Sequence, residues 1–171
     1  VTKASLIRGQ IGKTKFKSKF NAVGLFDVLE HIENEDKFLK ECKFNLKKGG
    51  KLFLTVPAYE FLWTDFDKMS GHKRRYSRKQ LEQVLLKNDF KIKKITYFGF
   101  FHFIPQVLIR LINKNKAFDG NEKKFMQNAF SIPMPFINSL FKKMLIFESK
   151  IISISSFPFG GSIIVYAVKI K

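Results

Sequence analysis

Cysteine and tryptophan each occur only once among the 171 residues of this chain. Because a disulfide needs two cysteines, the single Cys42 excludes an internal disulfide framework and favours a role in core packing. Uninterrupted apolar runs are also missing, since Gln106, Arg110 and Lys114 divide the most apolar segment well below the roughly 18 residues that a membrane-spanning helix requires. The length suffices for one domain with a hydrophobic core. The sequence therefore predicts one such domain without a spanning helix.

Acidic side chains are few: 14 stand against 32 lysines and arginines, which gives a formal net charge of +18. Such a charge is typical of proteins that bind nucleic acid or an anionic membrane. Here the lysines are spread through every segment, and they accompany many Phe, Ile and Asn residues, a usage expected from an A+T-rich genome. We therefore interpret the charge as a compositional bias and expect no specific nucleic-acid partner.

The first third of the chain reads as strand, helix and strand. An apolar run over 21–27 predicts a strand covered on both faces. Residues 34–48 have apolar side chains at helical spacing, acidic residues first and lysines last, which predicts a helix with Gly49 as its left-handed cap. Residues 51–57 predict a second buried strand, which Pro57 ends. This order is typical of parallel α/β sheets, in which ligands bind beyond the carboxyl ends of the strands.

The second half continues this alternation and then departs from it. A capping box at Ser77 predicts a helix that ends near Asn88. Residues 90–98 predict a strand with a bulge. Residues 99–160 break the rhythm and predict an insertion of helices that covers the site, and 162–171 predict a closing strand.

Three motifs resemble, in this order, the C-terminal two thirds of class I S-adenosylmethionine-dependent methyltransferases. They are D-V-L-E-H at 27–31, L-K-K-G-G-K-L at 46–52 and G-H-K-R-R-Y-S at 71–77. The resemblance implies an α/β fold with a partial Rossmann-like methyltransferase sheet, mostly parallel with an antiparallel C-terminal strand. It also implies that residues 1–171 form a single incomplete methyltransferase domain, with 99–160 as its helical insertion.

Two features of that family have no counterpart here: the glycine-rich cofactor loop and the acidic residue after the second strand. Residues 6–10 resemble the third strand and its adenine-contacting turn, with Gln10 where an acidic residue is common; a glutamine amide can still accept from an adenine amino group. Without the two missing strands, the strand at 21–27 would have an open edge. We therefore expect this sequence to be a fragment of a longer protein, and inactive by itself.

The resemblance implies S-adenosylmethionine as the cofactor and places Gln10, Asp27 and His31 beside it. Asp27 could instead be a turn or helix-capping carboxylate, and Glu30 is interpreted as a charge near a helix N-terminus. His72 is the candidate general base, because an imidazole titrates near neutral pH. The alternative for His72 is a structural histidine that fixes its loop.

The loop at 58–76 follows a strand end and is predicted to face the acceptor. Arg74 and Arg75 could bind a phosphate or carboxylate in bidentate geometry, or pair with Asp65 or Asp67. Three aromatic side chains could line the acceptor pocket or simply pack; they are Tyr59, Trp63 and Tyr76.

The sequence thus predicts S-adenosylmethionine-dependent methyl transfer to a small-molecule, sugar or lipid-linked acceptor. The alternative is a non-catalytic membrane-surface or partner-binding module on a decayed methyltransferase fold, suggested by the lysine-flanked apolar helices after Phe100. The three histidines and one cysteine show no metal-ligand spacing, so we expect no metal ion. We expect a cytoplasmic location with contact to a membrane surface.

Overall fold

A computed structural model describes residues 8–9, 11, 16–113 and 135–170. Gln10 and most of the segment 6–10, which resembles a strand and turn of the family, lie outside these residues. The strands are β1 (Phe20–Phe26), β2 (Leu46–Pro57), β3 (Phe90–Phe98) and β4 (Ser162–Lys169). The helices are α1 (Glu35–Asn45), α2 (Asp65–Met69), α3 (Arg78–Lys87), α4 (Phe100–Asn113) and α5 (Pro135–Ile154).

The four strands form one sheet in the order β1-β2-β4-β3. β1 pairs with β2 in parallel, whereas β4 lies antiparallel to both β2 and β3. Three strands therefore run in one direction and their carboxyl ends share one edge of the sheet, together with the start of β4. This confirms the predicted mostly parallel sheet with an antiparallel C-terminal strand. The predicted bulge in β3 is confirmed by a register shift between Ile92 and Lys94.

The boundary between α1 and β2 differs from the prediction. Asn34 caps the start of α1, because its side chain accepts a hydrogen bond from the backbone N–H of Lys37 at 2.9 Å. The helix ends at Asn45, however, and the strand begins at once with Leu46, which is fully buried and pairs with Phe20. Gly49 has the expected left-handed φ of 72°, but it lies within the strand and caps no helix. Burial and sheet pairing outweigh the helical spacing here.

The core lies around the two central strands, where alternate side chains of β2 and β4 are buried, and helices α1 and α3 pack against it. Cys42 is fully buried there, as predicted. Burial raises the pKa of its thiol to about 12, so the thiolate is scarce at neutral pH. Core packing is the role that this position supports.

Strand β1 departs from the expectation of cover on both faces. Five of its seven residues are exposed, and Leu25 is the one fully buried side chain of the strand. β1 is the edge strand of the described sheet. An apolar run predicts that a strand has apolar side chains on both faces. Whether other elements pack on both faces depends on the tertiary structure.

Along the chain, helices α4 and α5 both follow β3 and precede β4, within the predicted insertion. Glu148 of α5 is fully buried, and its Oε1 accepts a hydrogen bond from the backbone N–H of Phe100 at 3.0 Å. The carboxylate thereby caps the start of α4 and joins the two helices. Among the described residues, no helix is both long and apolar enough to cross a membrane.

Candidate functional site

Asp27 lies where the carboxyl end of β1 meets that of β2. Its backbone adopts a left-handed φ of 52°, and its N–H donates to both the carbonyl and the hydroxyl oxygen of Thr55 at 3.1 Å. The Thr55 hydroxyl in turn donates to Asp27 Oδ1 at 3.0 Å. These bonds hold a solvent-exposed carboxylate at the sheet edge, so Asp27 is a turn residue that is also accessible to a ligand.

Glu30 and His31 follow in a short 3₁₀ turn, Leu29–His31. The Glu30 side chain is fully buried, and neither carboxylate oxygen has a hydrogen-bond partner among the described residues. Burial, with a smaller contribution from the negative charge of Asp27, raises the pKa of Glu30 to about 7. His31 is 38% exposed, with Nε2 4.0 Å from Glu30 Oε1. A buried, unpartnered carboxylate thus lies beside an accessible imidazole.

His72 reaches the same place from the loop before α3. Its ring lies edge-on to that of His31, with 4.7 Å between the centroids. Its Nδ1 lies 2.8 Å from Asp67 Oδ1, and the side chain is 12% exposed. The backbone N–H of Lys73 donates to the carbonyl of Glu30 at 2.7 Å. This bond fastens the loop to the 3₁₀ turn.

Asp67 is the buried centre of this arrangement. It accepts two hydrogen bonds from Arg75, from Nε to Oδ1 at 2.8 Å and from one terminal nitrogen to Oδ2 at 3.0 Å. The backbone N–H of Thr64 donates to Oδ2 at 2.8 Å. Burial acts to raise the pKa of Asp67, but the hydrogen bonds and charge of Arg75, with Thr64 and His72, outweigh it and hold the pKa below its usual range. Asp67 is therefore ionised and orients His72.

The structure gives three of the predicted acceptor-binding residues protein partners instead. Arg75 is buried against Asp67, which is one of the pairings that the sequence left open. Arg74 lies 3.1 Å from Glu35 Oε2, and it also donates to a backbone carbonyl at 3.0 Å. Tyr76 is 2% exposed and donates its hydroxyl proton to Glu35 Oε2 at 2.6 Å. Arg75 and Tyr76 are buried, whereas Arg74 stays half-buried, with its side chain 30% exposed.

Tyr59 and Trp63 remain half-buried in the loop after β2. The Tyr59 ring stacks on that of Tyr97, with 5.3 Å between centroids and 6° between planes, and it also contacts Phe103. Burial, together with the hydrogen bond to Tyr97, raises the pKa of the Tyr59 hydroxyl. Tyr59 therefore joins the sheet edge to helix α4.

Beyond Tyr59, a cavity of about 920 Å³ opens between α4, α5 and the ends of β3 and β4. Most of its lining is apolar, with four polar side chains. The lining residues are Phe98, Gly99, Phe101, His102, Pro105, Gln106, Asn138, Leu140, Phe141, Met144, Leu145, Gly161 and Ser162. His102 contacts the Phe141 ring and contributes to the wall.

Sequence reasoning missed Glu30 as a member of the site and gave Asp67 only an ion-pairing role. The D-V-L-E-H motif contains Glu30, but nothing in the motif shows that its side chain turns inward. The five-residue spacing between Asp67 and His72 became meaningful only once α2 and the loop after it were seen to bring the two together.

A family model described as a methyltransferase domain matches residues 7–95. The match covers more than half of the chain and includes β1, the 3₁₀ turn, β2 and the loop that carries His72. This chain belongs to that methyltransferase domain family. The match confirms the resemblance drawn from the three sequence motifs, and with it S-adenosylmethionine as the cofactor of the family.

Solved structures share the fold of this methyltransferase domain. An S-adenosylmethionine-dependent methyltransferase from Archaeoglobus fulgidus is 15% identical, with a TM-score of 0.52 over 96% of this chain and 66% of its own. A Bacillus halodurans protein described as a methyltransferase is 16% identical, with a TM-score of 0.52 over 96% of this chain and 71% of its own. A Thermotoga maritima S-adenosylmethionine-dependent methyltransferase is 15% identical, with a TM-score of 0.52 over 96% of this chain and 62% of its own. No curated protein matches the chain. The chain spans 34% of the length of one similar structure and 71% of another.

Two of the three residues predicted to lie beside the cofactor belong to the part of the chain that the structure describes. Asp27 and His31 both present accessible polar groups at the carboxyl edge of the methyltransferase sheet. Their position and chemistry fit a ligand that carries hydroxyl and amino groups. Gln10 lies outside the described residues, so its role stays a prediction.

Proposed function

We propose that this domain, within the protein that contains it, transfers a methyl group from S-adenosylmethionine to a lipid-linked or similarly apolar small molecule. The observation that carries the proposal is the large, mainly apolar cavity at the carboxyl edge of the sheet. A sugar acceptor would need more polar lining, because hydroxyl groups buried without partners are costly. Family membership favours an enzyme over the non-catalytic module.

S-adenosylmethionine, when bound, supplies an electrophilic methyl group on a sulfonium. The protein's own task is then to hold an acceptor atom in line and to take up its proton where it has one. On the cofactor side we assign Asp27 and His31, with Gln10 as the predicted adenine contact. On the acceptor side we assign Tyr59 and Trp63, and we assign helices α4 and α5 the role of a cap over the acceptor.

His72 is the catalytic residue of this proposal. Asp67 is ionised and can only accept, so in the neutral imidazole the proton lies on Nδ1 and Nε2 carries the lone pair. Nε2 is then the nitrogen that can take a proton from an acceptor hydroxyl or amine. The alternative of a purely structural histidine predicts that this nitrogen has no role in the reaction.

Titration calorimetry of the full-length protein with S-adenosylmethionine tests the cofactor assignment, and transfer of a labelled methyl group to dodecylphenol or to phenol tests the acceptor class. We expect binding of the cofactor and a value of kcat/KM at least about tenfold higher for dodecylphenol, since each buried methylene contributes about 0.8 kcal/mol. Absence of cofactor binding would contradict the activity. Equal kcat/KM values for the two phenols would contradict the apolar acceptor.

A substitution in the cavity gives a sharper test of the acceptor site. Leu145→Trp fills the cavity from α5, and we expect it to raise KM for dodecylphenol about tenfold while the Kd for S-adenosylmethionine is unchanged. Ile146→Trp is the matched control, because Ile146 lies next along the helix but outside the cavity lining and is 48% exposed. The acceptor assignment fails if both substitutions change KM equally.

We also propose that α5 brings the domain to an anionic membrane surface. Phe136 and Ile154 are 81% and 87% exposed and lie about five turns apart on one face of the helix. Lys142, Lys143 and Lys150 are exposed on the same helix, and the chain carries a net charge of +18. An exposed apolar face with lysines is typical of helices that lie in a membrane interface.

Cosedimentation with vesicles measures this contact. We expect binding to phosphatidylglycerol vesicles, little binding to phosphatidylcholine vesicles, and a several-fold smaller bound fraction for the double variant Phe136→Asp, Ile154→Asp. Phe61→Asp is the control, since Phe61 is 69% exposed but lies in the loop after β2. Unchanged binding of the double variant, or indifference to anionic lipid, would end this proposal.

A further inference from the structure

Glu30, His31 and His72 form a group of three side chains whose donor atoms face one another. One carboxylate oxygen and one ring nitrogen from each histidine all lie within 4.8 Å of one another. The sequence showed no metal-ligand spacing, because the residues come from two segments that only the fold brings together. Two imidazoles and one carboxylate, from a 3₁₀ turn and a loop, therefore converge at the carboxyl edge of the sheet.

The state of Glu30 is the second, independent observation. Its side chain is fully buried, and both oxygens lack a hydrogen-bond partner among the described residues. Buried carboxylates are normally hydrogen-bonded, paired with a cation or bound to a metal ion, because burying such a group alone is costly. Nε2 of His31 lies 4.0 Å from Glu30 Oε1, which is too far for a hydrogen bond. The carboxylate of Glu30 is therefore available to bind a cation.

The surroundings of His72 are those of a metal-binding histidine. Its Nδ1 bonds to Asp67 at 2.8 Å, and Asp67 is itself held by two hydrogen bonds from Arg75. Metal-ligating histidines commonly donate their second ring N–H to a carboxylate, which fixes the tautomer and the ring orientation. The arrangement presents Nε2 of His72 as a fixed donor, whereas the half-exposed ring of His31 can adjust.

We propose that Glu30, His31 and His72 bind one divalent transition-metal ion, with Zn²⁺ the best match. Two histidines and a glutamate are the ligand set of many catalytic zinc sites, in which a fourth position stays open. Zinc–ligand bonds of about 2.0 to 2.2 Å would require the three donor atoms to approach by roughly an ångström. Mg²⁺ is a poorer match, because it prefers six oxygen ligands.

The consequence for methyl transfer rests on the proposed function. An ion at this edge would be a Lewis acid for an acceptor oxygen that reached its open position, and it would lower the pKa of that hydroxyl. Nε2 of His72 would then ligate the ion instead of taking the proton, since one lone pair cannot do both, and the hydroxyl proton would pass to solvent water. Substitution of Glu30 distinguishes the two roles of His72. The Glu30 carboxylate is needed if His72 ligates an ion, but not if His72 takes the proton itself.

The test is titration of the chelator-treated full-length protein with Zn²⁺ by calorimetry and with Co²⁺ by visible absorption. We expect one equivalent of each and the absorption of four-coordinate Co²⁺. Glu30→Gln and His72→Gln should each weaken Zn²⁺ binding at least about 100-fold, as outer-shell changes alone cost 10- to 100-fold. Glu33→Gln and His102→Gln are the matched controls, because Glu33 is an exposed neighbour with a side chain 84% exposed and His102 lies on α4.

Thermal unfolding in the absence of metal checks that the variants remain folded. Glu30→Gln should unfold at or above the wild-type temperature, because it replaces a buried carboxyl group that has no hydrogen-bond partner among the described residues. The inference is overturned if the wild-type protein binds no Zn²⁺, or if Glu30→Gln binds it equally well. Because these titrations contain neither cofactor nor acceptor, methyl transfer without Zn²⁺ binding overturns this inference alone, and Zn²⁺ binding without methyl transfer overturns the proposed function alone.

Discussion

Replacement of Asp67 with alanine is expected to lower the free energy of unfolding by about 3 to 5 kcal/mol. The reason is the fate of Arg75, whose side chain is 5% exposed and would lose two hydrogen bonds and its counter-charge. An unpaired guanidinium that stays buried costs far more than the pair itself contributes. Urea unfolding followed by circular dichroism measures the change.

Asp65→Ala is the matched control in the same helix. Asp65 also pairs with a cation, Lys68, at 3.3 Å, but both side chains are largely exposed, and such pairs contribute less than about 1 kcal/mol. The two alanine variants remove the same charge two positions apart. Equal losses of stability in both would show that burial of the Asp67 pair is not what stabilises the loop.

Acid unfolding distinguishes loss of the Asp67 charge from a purely steric effect of the substitution. Arg75 and the other partners outweigh burial and hold the pKa of Asp67 below its usual range, so the folded state binds fewer protons than the unfolded state. The contribution of Asp67 is therefore complete above the unfolded pKa of about 3.9 and is lost as the pH falls through the folded value. Asp67→Ala should lose stability less steeply in this acidic range than the wild-type protein.

Replacement of His72 with glutamine is expected to lower kcat for methyl transfer about 10²- to 10⁴-fold, the usual range for a general base. In the metal-free protein the effect follows from Nε2, which Asp67 orients and which glutamine cannot replace as a base. A structural histidine would instead change stability with little change in kcat. Methyl transfer to dodecylphenol under saturating cofactor measures the difference.

Lys73→Gln is the control for this substitution, because Lys73 is adjacent but its side chain is 46% exposed and pairs with Glu33 at the surface. We expect kcat within about twofold of the wild-type value for this variant. If His72→Gln retains kcat in that same range while its fold is intact, the catalytic assignment is wrong.

Much of the fold could be predicted because its signals are local. The capping box at Ser77 involves side chains within one helical turn, and it forms as predicted. The β3 bulge likewise follows from a slip in the alternation of one strand. The methyltransferase resemblance depends on short motifs in order, and the family match confirms it. The cap role of 99–160 stays a prediction.

The sequence alone determined the alternation of strands and helices, the edge of the sheet where a ligand would bind and the family. Only the tertiary structure decided that Arg75 faces Asp67 rather than an acceptor, that Glu30 is buried without a partner and that His31 meets His72. The physical reason is distance along the chain. Caps and strand alternation arise within one element, whereas His31 and His72 belong to segments about forty residues apart, and Arg75 meets Asp67 only because of the path that the loop after α2 takes.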